Sequence, residues 1–305
     1  MNDLMAGTSE FATIIDFIRY GLTQAHSHGL FFGHGTDNVR DDIYSLILGS
    51  LNLPPMCDPV LLHARLTQGE REKLYAQLVK RIVEKIPVPY LIRQAYFCGL
   101  PFYVDERVLI PRSPIAELIE QQFSPWIEAD QVASVLDLCT GSGCIAIACC
   151  YAFPESSVDA VDLSQDALDV AAINRDRHNL QGTLQLIQSD CWQNVPEVRY
   201  DIIVSNPPYV GDEEMRSLPS EYLHEPSMAL RADNNGLAIV EKILAHAHHY
   251  LTDHGILVVE VGNSEDALVE AYPDLAFTWL EFENGGQGVF LLTRQQLQEY
   301  FDDKR

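Results

Sequence analysis

The stretch "VLDLCTGSGCIAIA", residues 135–148, decides the fold class. Its first residues form a short apolar run typical of a buried strand, and a Gly-Ser-Gly turn separates this run from an apolar helix start. Gly141 and Gly143 permit a tight turn and let a ligand approach the backbone, while the helix start presents free amide hydrogens. The turn also matches the dinucleotide pattern G-x-G-x-x-A, although that match alone does not identify a ligand.

The chain beyond this stretch alternates strand-like and helix-like segments. Such alternation predicts right-handed crossovers and an α/β fold with a mostly parallel sheet covered on both faces. A short glycine turn, "ENGGQG", separates the last two strand-like segments, so they should form an antiparallel hairpin on the sheet. The seven predicted strands are residues 134–138, 157–161, 184–188, 201–205, 255–261, 277–282 and 288–293.

The N-terminal part reads as helical instead. Residues 9–22 place apolar side chains on one helical face, and residues 67–87 open with Thr67 and Glu70 in capping-box spacing before stopping at Pro87. We therefore predict a helical substrate-recognition domain at 1–94, a hairpin linker at 95–113 and the larger α/β domain at 114–305.

A glycine-rich turn, "FGHGTDN" at residues 32–38, lies between the first helices. His34 and Asp37 on this turn could contact a substrate, but a structural turn with an Asx or helix-cap role is the favoured interpretation. The sequence leaves the role of this turn open.

Three aspartates occupy the strands near the glycine turn. Asp162 ends the second predicted strand, where an acid can accept hydrogen bonds from both hydroxyls of a ribose, and Asp190 follows the third, where it can accept from an adenine amino group. Asp137 lies inside an apolar strand, and a carboxylate there needs a partner. A dinucleotide offers phosphates to such a turn, whereas S-adenosylmethionine offers a sulfonium and an ammonium group. The acids therefore favour S-adenosylmethionine.

The fourth predicted strand ends on "NPPY", Asn206 to Tyr209. Proline has no amide hydrogen to donate to a ladder, so the strand must stop at Ser205 and a stiff loop must follow. This chain thus resembles the class I (Rossmann-like) S-adenosylmethionine-dependent methyltransferases whose loop after the fourth strand reads N-P-P-Y. The resemblance implies methylation of a planar amino or amide nitrogen. The Asn206 side-chain oxygen and the Pro207 carbonyl would accept its two hydrogens, and Tyr209 would stack on its plane.

The resemblance narrows to the PrmC/HemK-like protein-glutamine methyltransferases, and within them to the branch acting on ribosomal protein three of the large subunit. The segments that carry it include "FGHGTDN" and "IPVPYL" in the N-terminal domain and "FCGLPFYVDERVLIPRSP", "SNPPYV", "EYLHEP" and "FTWLEFENGGQGVFLLTR" after it, so it covers both domains. The release-factor branch usually has glycine at Cys139 and tryptophan at Cys191. The implied catalytic residues are Asn206, Pro207, Pro208 and Tyr209. The implied cofactor-binding residues are Asp137, Cys139, Thr140, Gly141, Ser142, Gly143, Asp162, Asp190, Cys191 and Asn206.

The charge balance bears on the partner. The chain has 20 Lys and Arg against 44 Asp and Glu, a formal net charge of −24. Such a charge opposes a nucleic-acid backbone and favours a cationic partner such as a basic ribosomal protein, although simple solubility also explains it. Two alternatives to a protein-glutamine methyltransferase stay open: a nucleic-acid base amino-methyltransferase with the same loop, and a non-catalytic scaffold.

Location and metal content follow from what the sequence lacks. No apolar stretch reaches the ~18 residues of a membrane span, and the N-terminus does not resemble a signal peptide, so we expect a cytoplasmic protein that does not bind membranes. The seven cysteines form no CxxC pair and indicate a reducing compartment. No zinc-type spacing of histidines and cysteines occurs, so no metal is predicted.

Overall fold

The computed structural model describes residues 10–302. The chain divides into two compact units: one runs to Ala95 and includes Pro219–His224, and the other comprises Tyr96–Leu218 and the chain from Glu225 onward. Residues 96–113, which we predicted as part of a linker, thus belong to the second unit. No helix among the described residues combines the length and the apolar character needed to cross a bilayer.

The first unit is helical. Thr67 and Glu70 form the expected capping box, since Glu70 Oε2 accepts from the Thr67 amide at 2.8 Å and Thr67 Oγ1 accepts from the Glu70 amide at 3.3 Å. The helix that they open ends at Ile82, before Pro87, because Lys85 adopts a left-handed backbone with φ of +58°. The four helices are α1 (Ile14–Ser27), α2 (Val39–Ser50), α3 (Gln68–Ile82) and α4 (Val88–Ile92).

A buried guanidinium holds residues 219–224 in this unit. Arg81 of α3 is 2% exposed, and its Nε donates to Asp42 Oδ2 of α2 at 2.8 Å. Its Nη2 donates to the Phe31 carbonyl at 2.9 Å, and its Nη1 lies 3.5 Å from Glu221 Oε1. The Phe31 amide donates to the same glutamate oxygen at 2.9 Å. Nothing in the sequence pattern assigned Glu221 to the helical unit, because a pairing across 140 positions leaves no local signal.

The second unit contains a hairpin of β1 (Ala95–Phe97) and β2 (Leu100–Phe102) and a seven-stranded sheet. The sheet strands are β3 (Ser134–Leu138), β4 (Ser157–Asp162), β5 (Leu184–Gln188), β6 (Tyr200–Ser205), β7 (Leu251–Glu260), β8 (Thr278–Trp279) and β9 (Val289–Thr293). Their order is β5-β4-β3-β6-β7-β9-β8. The pairs from β5 to β7 are parallel, whereas β9 pairs antiparallel with both β7 and β8. The predicted α/β fold with antiparallel last strands is confirmed.

Two strands differ from the prediction by more than one residue in length. Strand β8 has two residues rather than six, although the Leu280 amide still donates to the Val289 carbonyl of β9 at 2.9 Å. Strand β7 begins at Leu251 rather than Gly255, with an irregular register opposite Tyr200 and Ile202. Neither change affects the central strands, since the core-forming positions of β3, β4 and β6 are as predicted.

Both faces of the sheet are covered. Alternate residues of β3 face opposite cores: Val135 packs with Ile145 and Ile147, while Leu136 packs with Val240 and other residues C-terminal to β6. This alternation is expected of a strand buried on both sides. The helices are α5 (Ile115–Glu120), α6 (Cys144–Ala152), α7 (Gln165–Arg177), α8 (Asp212–Met215), α9 (Ala238–Tyr250), α10 (Glu265–Ala271) and α11 (Arg294–Asp302).

Arg81→Ala should destabilise the first unit by about 3–5 kcal/mol, because it leaves the buried Asp42 carboxylate without its cation. Burial already raises the pKa of Asp42, and the Arg81 charge opposes that rise. Urea unfolding measures the loss. Lys80→Ala, an exposed lysine on the same helix, is the control and should change stability by less than about 0.5 kcal/mol. Equal effects of the two substitutions would contradict this account of Arg81.

Candidate active site

The glycine turn between β3 and α6 has a left-handed backbone at three positions. Cys139, Gly141 and Gly143 have φ values of +62°, +55° and +80°. A side chain at Gly143 would crowd Ala171 of α7, with its Cβ 3.3 Å from the alanine Cβ, whereas a Cβ at Gly141 would meet nothing within 4 Å. The Gly141 side of the turn is therefore open to a ligand, and Gly143 lets α6 pack closely on α7.

Asp137 lies beneath this turn. Its side chain is completely buried, and Oδ2 accepts from Thr140 Oγ1 at 2.6 Å and from the Ala146 amide, at the start of α6, at 3.1 Å. No hydrogen-bond partner contacts Oδ1. Burial raises the pKa of Asp137 to about 7, with the Asp162 charge adding to the rise and the two hydrogen bonds opposing it. Asp137 thus connects the turn to the start of α6 through these two hydrogen bonds.

Asp162 is the last residue of β4, and Asp190 follows the neighbouring parallel strand β5. Asp162 Oδ2 accepts from the Gly141 amide at 2.8 Å and Oδ1 from the Ser164 amide at 2.9 Å, so each oxygen keeps a lone pair for a ligand. Burial raises the pKa of Asp162, and these backbone hydrogen bonds oppose the rise. Asp190 lies two residues beyond β5, where Lys242 Nζ donates to its two oxygens at 3.0 and 3.2 Å.

These residues line one cavity of about 240 Å³. Most of the predicted cofactor residues are on its wall, but Asp137 and Gly143 lie behind it. The wall also includes two segments that sequence reasoning missed: 107–113 before α5, and 226–231 before α9. The predicted residues on the wall are Cys139, Thr140, Gly141, Ser142, Asp162, Asp190, Cys191, Asn206 and Pro208.

The NPPY loop begins where expected, directly after Ser205. The Ser205 hydroxyl donates to the Leu138 carbonyl at 2.7 Å and so joins the ends of β6 and β3. Asn206 Nδ2 points toward the Arg112 carbonyl at 3.5 Å, which leaves Oδ1 as the acceptor of this amide. The Val210 amide donates to the Leu230 carbonyl at 2.8 Å, which fixes the far end of the loop.

Tyr209 is enclosed by glycines distant in sequence. A Cβ at Gly262 would lie 2.5 Å from its ring, and one at Gly236 would lie 2.1 Å from its carbonyl oxygen. The Ser264 hydroxyl donates to that carbonyl at 2.9 Å, and the Tyr209 hydroxyl donates to Glu260 Oε1 at 2.9 Å. The ring position therefore depends on contacts across the fold as well as on the stiff prolines.

A second cavity, of about 220 Å³, lies on the other side of Asn206. Pro207, Tyr209 and Glu260 line it together with Pro114, Val210 and Leu230. Both cavities share Leu109, Arg112, Ser113, Asn206 and Ala229. The two spaces thus adjoin at the asparagine of the NPPY loop.

Arg112, which is partly exposed, pairs with the buried Glu225 at this junction. The guanidinium donates to Glu225 Oε1 at 2.8 Å and to Oε2 at 2.6 Å, and the Ile110 amide donates to Oε1 at 3.0 Å. This fork geometry fixes the 110–112 segment against residue 225. Both residues lie in segments that carry the family resemblance, "LIPRSP" and "EYLHEP", and that was the signal available for finding them.

Within residues 10–302, no three histidine, cysteine, aspartate or glutamate side chains are grouped so that they could hold a metal ion. All seven cysteines are free thiols. His248 is buried, so the tandem histidines at 246–249 are not a fully exposed helix turn. His248 faces the core because it lies on the apolar side of α9 with Ile243, Leu244 and Ala247.

Comparison with known proteins agrees with this geometry. Residues 121–271 match the model of the methyltransferase small domain family. A ribosomal protein uL3 glutamine methyltransferase of Francisella tularensis subsp. tularensis is 44% identical, with 95% of this chain and 93% of that protein covered. One of Neisseria gonorrhoeae is 48% identical, with 94% and 96% covered. The chain belongs to the ribosomal protein uL3 glutamine methyltransferase family.

Solved structures share the fold at lower identity. The catalytic domain of hMettl16, determined in complex with the MAT2A 3'UTR hairpin 6, is 15% identical with a TM-score of 0.52. That alignment covers 75% of this chain and 82% of the other. At such identity the likeness concerns the fold alone, and it places the sheet described above among methyltransferase folds.

Asp137→Asn tests the buried carboxylate. Because burial raises its pKa to about 7 in the folded protein, the native state holds a proton that the unfolded chain releases near pH 4, so this group's contribution to stability declines as pH rises from about 4 to 7. Asparagine does not titrate. The free energy of unfolding of the Asp137→Asn variant, relative to that of the unsubstituted protein, should therefore rise by roughly 1–3 kcal/mol between pH 4 and pH 7. Urea unfolding at several pH values measures the difference, and a difference independent of pH would contradict the raised pKa.

Proposed function

We propose that this protein transfers a methyl group from S-adenosylmethionine to the side-chain amide nitrogen of a glutamine in ribosomal protein uL3. The observation that carries the proposal is the meeting of two cavities at Asn206, in a chain 44–48% identical to uL3 glutamine methyltransferases over nearly its whole length. One cavity would hold the methyl donor and the other the acceptor amide.

The first cavity fits S-adenosylmethionine in the chemistry of its wall. Asp162 keeps acceptor capacity on both oxygens for ribose hydroxyls, and the open face of Gly141 admits a ligand next to the backbone. Asp190 is in reach of the same space to accept from an adenine amino group. Carboxylates without phosphate-binding basic groups at the turn suit a cationic ligand better than a dinucleotide. Bound S-adenosylmethionine supplies an electrophilic methyl group.

The second cavity suits a planar amide. An amide nitrogen is a weak nucleophile because its lone pair is delocalised, so its orientation has to be fixed. Asn206 Oδ1 and the Pro207 carbonyl accept its two hydrogens, and the Tyr209 ring stacks on its plane. Pro208 keeps the loop stiff. These roles come from the loop chemistry and from the family to which the chain belongs.

The charge distribution supports a basic protein as partner. Counted over the sequence, residues 1–95 and 219–224 contain 11 acidic and 9 basic residues, whereas the second unit contains 33 and 11. The attraction of a cationic partner therefore comes almost entirely from the unit that carries the active site. This distribution also disfavours the nucleic-acid alternative, since a phosphate backbone would be repelled at the site itself.

We also propose that the helical unit recognises the substrate. Because this unit is nearly neutral, recognition there depends on shape and apolar contact. Met56, Val60 and Leu61 are 94%, 67% and 40% exposed in this unit. Exposed apolar side chains of this kind suit contact with another protein better than contact with solvent.

The substrate assignment is tested with purified ribosomal protein uL3 and labelled S-adenosylmethionine. Tandem mass spectrometry should place one methyl group on a glutamine, and Gln→Glu at that position in the substrate should abolish labelling, because glutamate lacks both N–H donors. Asn206→Ala should slow single-turnover methylation by roughly a hundredfold or more. Methylation mapped to lysine, or label found only in nuclease-sensitive material, would overturn the proposal.

Asp162→Ala should weaken S-adenosylmethionine binding by roughly 1–3 kcal/mol, because a charged hydrogen-bond partner of the ribose is lost. Calorimetric titration measures the affinity, and circular dichroism checks that the fold persists. The matched control is Asp166→Ala, an exposed aspartate in the first turn of α7, which should leave the affinity unchanged. Unchanged affinity in the Asp162 variant would remove this residue from the cofactor site.

A further inference from the structure

Glu260, the last residue of β7, places a carboxylate in the wall of the acceptor cavity. The residue is only 5% exposed. Its Oε2 accepts from the Ser113 hydroxyl at 2.5 Å, and its Oε1 accepts from the Tyr209 hydroxyl at 2.9 Å. One buried carboxylate thus joins the segment before α5 to the NPPY loop.

Such a carboxylate is costly to bury and needs an explanation. A buried charge is tolerated when hydrogen bonds or an opposite charge compensate it. Here two hydroxyls donate to the carboxylate, and the charge of Arg112, whose guanidinium forks onto Glu225, also stabilises it. The roles of Asn206 and Pro207 do not require a carboxylate at this position. Glu260 is therefore a group that the proposed amide chemistry leaves unused.

We propose that Glu260 is a positioning residue, which holds the Tyr209 ring in place for the acceptor amide by accepting a hydrogen bond from its hydroxyl while Ser113 fixes the second carboxylate oxygen. This inference rests on the proposed function. Ser264 fixes the Tyr209 backbone and Gly262 lies against the ring, and the hydrogen bond to Glu260 holds the ring at its hydroxyl. Tyrosine rather than phenylalanine is then needed because of Glu260.

The ionised form of Glu260 is the competent one. The carboxylate accepts from both hydroxyls through charged oxygens, whereas protonation places a hydrogen on one oxygen and weakens its hydrogen bond from Ser113 or Tyr209. Burial raises the pKa of Glu260, and the hydrogen bonds from Ser113 and Tyr209 and the charge of Arg112 oppose the rise. Methylation should therefore slow as pH falls through this raised pKa.

The experiment measures single-turnover methylation of uL3 by Glu260→Gln as a function of pH. The variant should be about ten- to a hundredfold slower at neutral pH, the range expected when a hydrogen bond to a charged group is lost. It should also lose the decrease in rate at acid pH. Calorimetric affinity for S-adenosylmethionine should not change, because Glu260 does not line the first cavity. Glu270→Gln, an exposed glutamate on α10, is the control and should behave as the unsubstituted protein.

Tyr209→Phe completes the test and serves alone if Glu260→Gln does not fold. Because both substitutions break the same hydrogen bond, the double variant should be scarcely slower than the slower single variant. The methylation rate of Tyr209→Phe should also no longer decrease at acid pH. A normal rate in Glu260→Gln, an unchanged acid decrease in Tyr209→Phe, or losses that multiply in the double variant would overturn the inference. Absence of glutamine methylation by the unsubstituted protein would instead overturn the proposed function.

Discussion

The register of β3 between β4 and β6 is the constraint on which the site depends. Leu138 is opposite Val161 on one side and Ser205 on the other, so three parallel strands end at the same level of one sheet edge. The residues that follow these ends are the glycine turn, Asp162 and the NPPY loop. Parallel pairing brings them together although they are spread over some 70 positions, and ligands of open α/β sheets bind at this edge.

Stiffness at that edge comes from buried polar groups below and behind the loops. Asp137 connects the turn to the start of α6, and Arg112 and Glu225 connect two segments of the cavity wall. The hydrogen bonds of these groups offset part of the cost of burying them, although Asp137 Oδ1 has no partner among the described residues. A cavity walled by loops therefore keeps a defined shape, which alignment of a weak nucleophile requires.

The two units differ in net charge as well as in fold. The helical unit is nearly neutral and is organised around the buried Arg81, while the α/β unit carries most of the excess acid. The negative potential of the protein therefore comes mainly from the α/β unit. The chain leaves the α/β unit at Leu218 and returns at Glu225, so the segment before the cavity wall belongs to the helical unit.

The sequence by itself determined the sheet, its antiparallel end, the place of the turn and the NPPY loop, because apolar runs, glycine and proline act locally. Most of the cofactor residues predicted from it lie on the first cavity's wall, since acids at strand ends follow a known topology, but segments 107–113 and 226–231 of that wall were not predicted. Tertiary structure alone decided that Asp137 lies behind the wall, that Glu221 joins the helical unit, and that Glu260, Gly236 and Gly262 surround Tyr209. The contacts of Glu221 and Tyr209 join residues 27 to 190 positions apart, and no local pattern encodes where two distant backbones come within hydrogen-bonding distance.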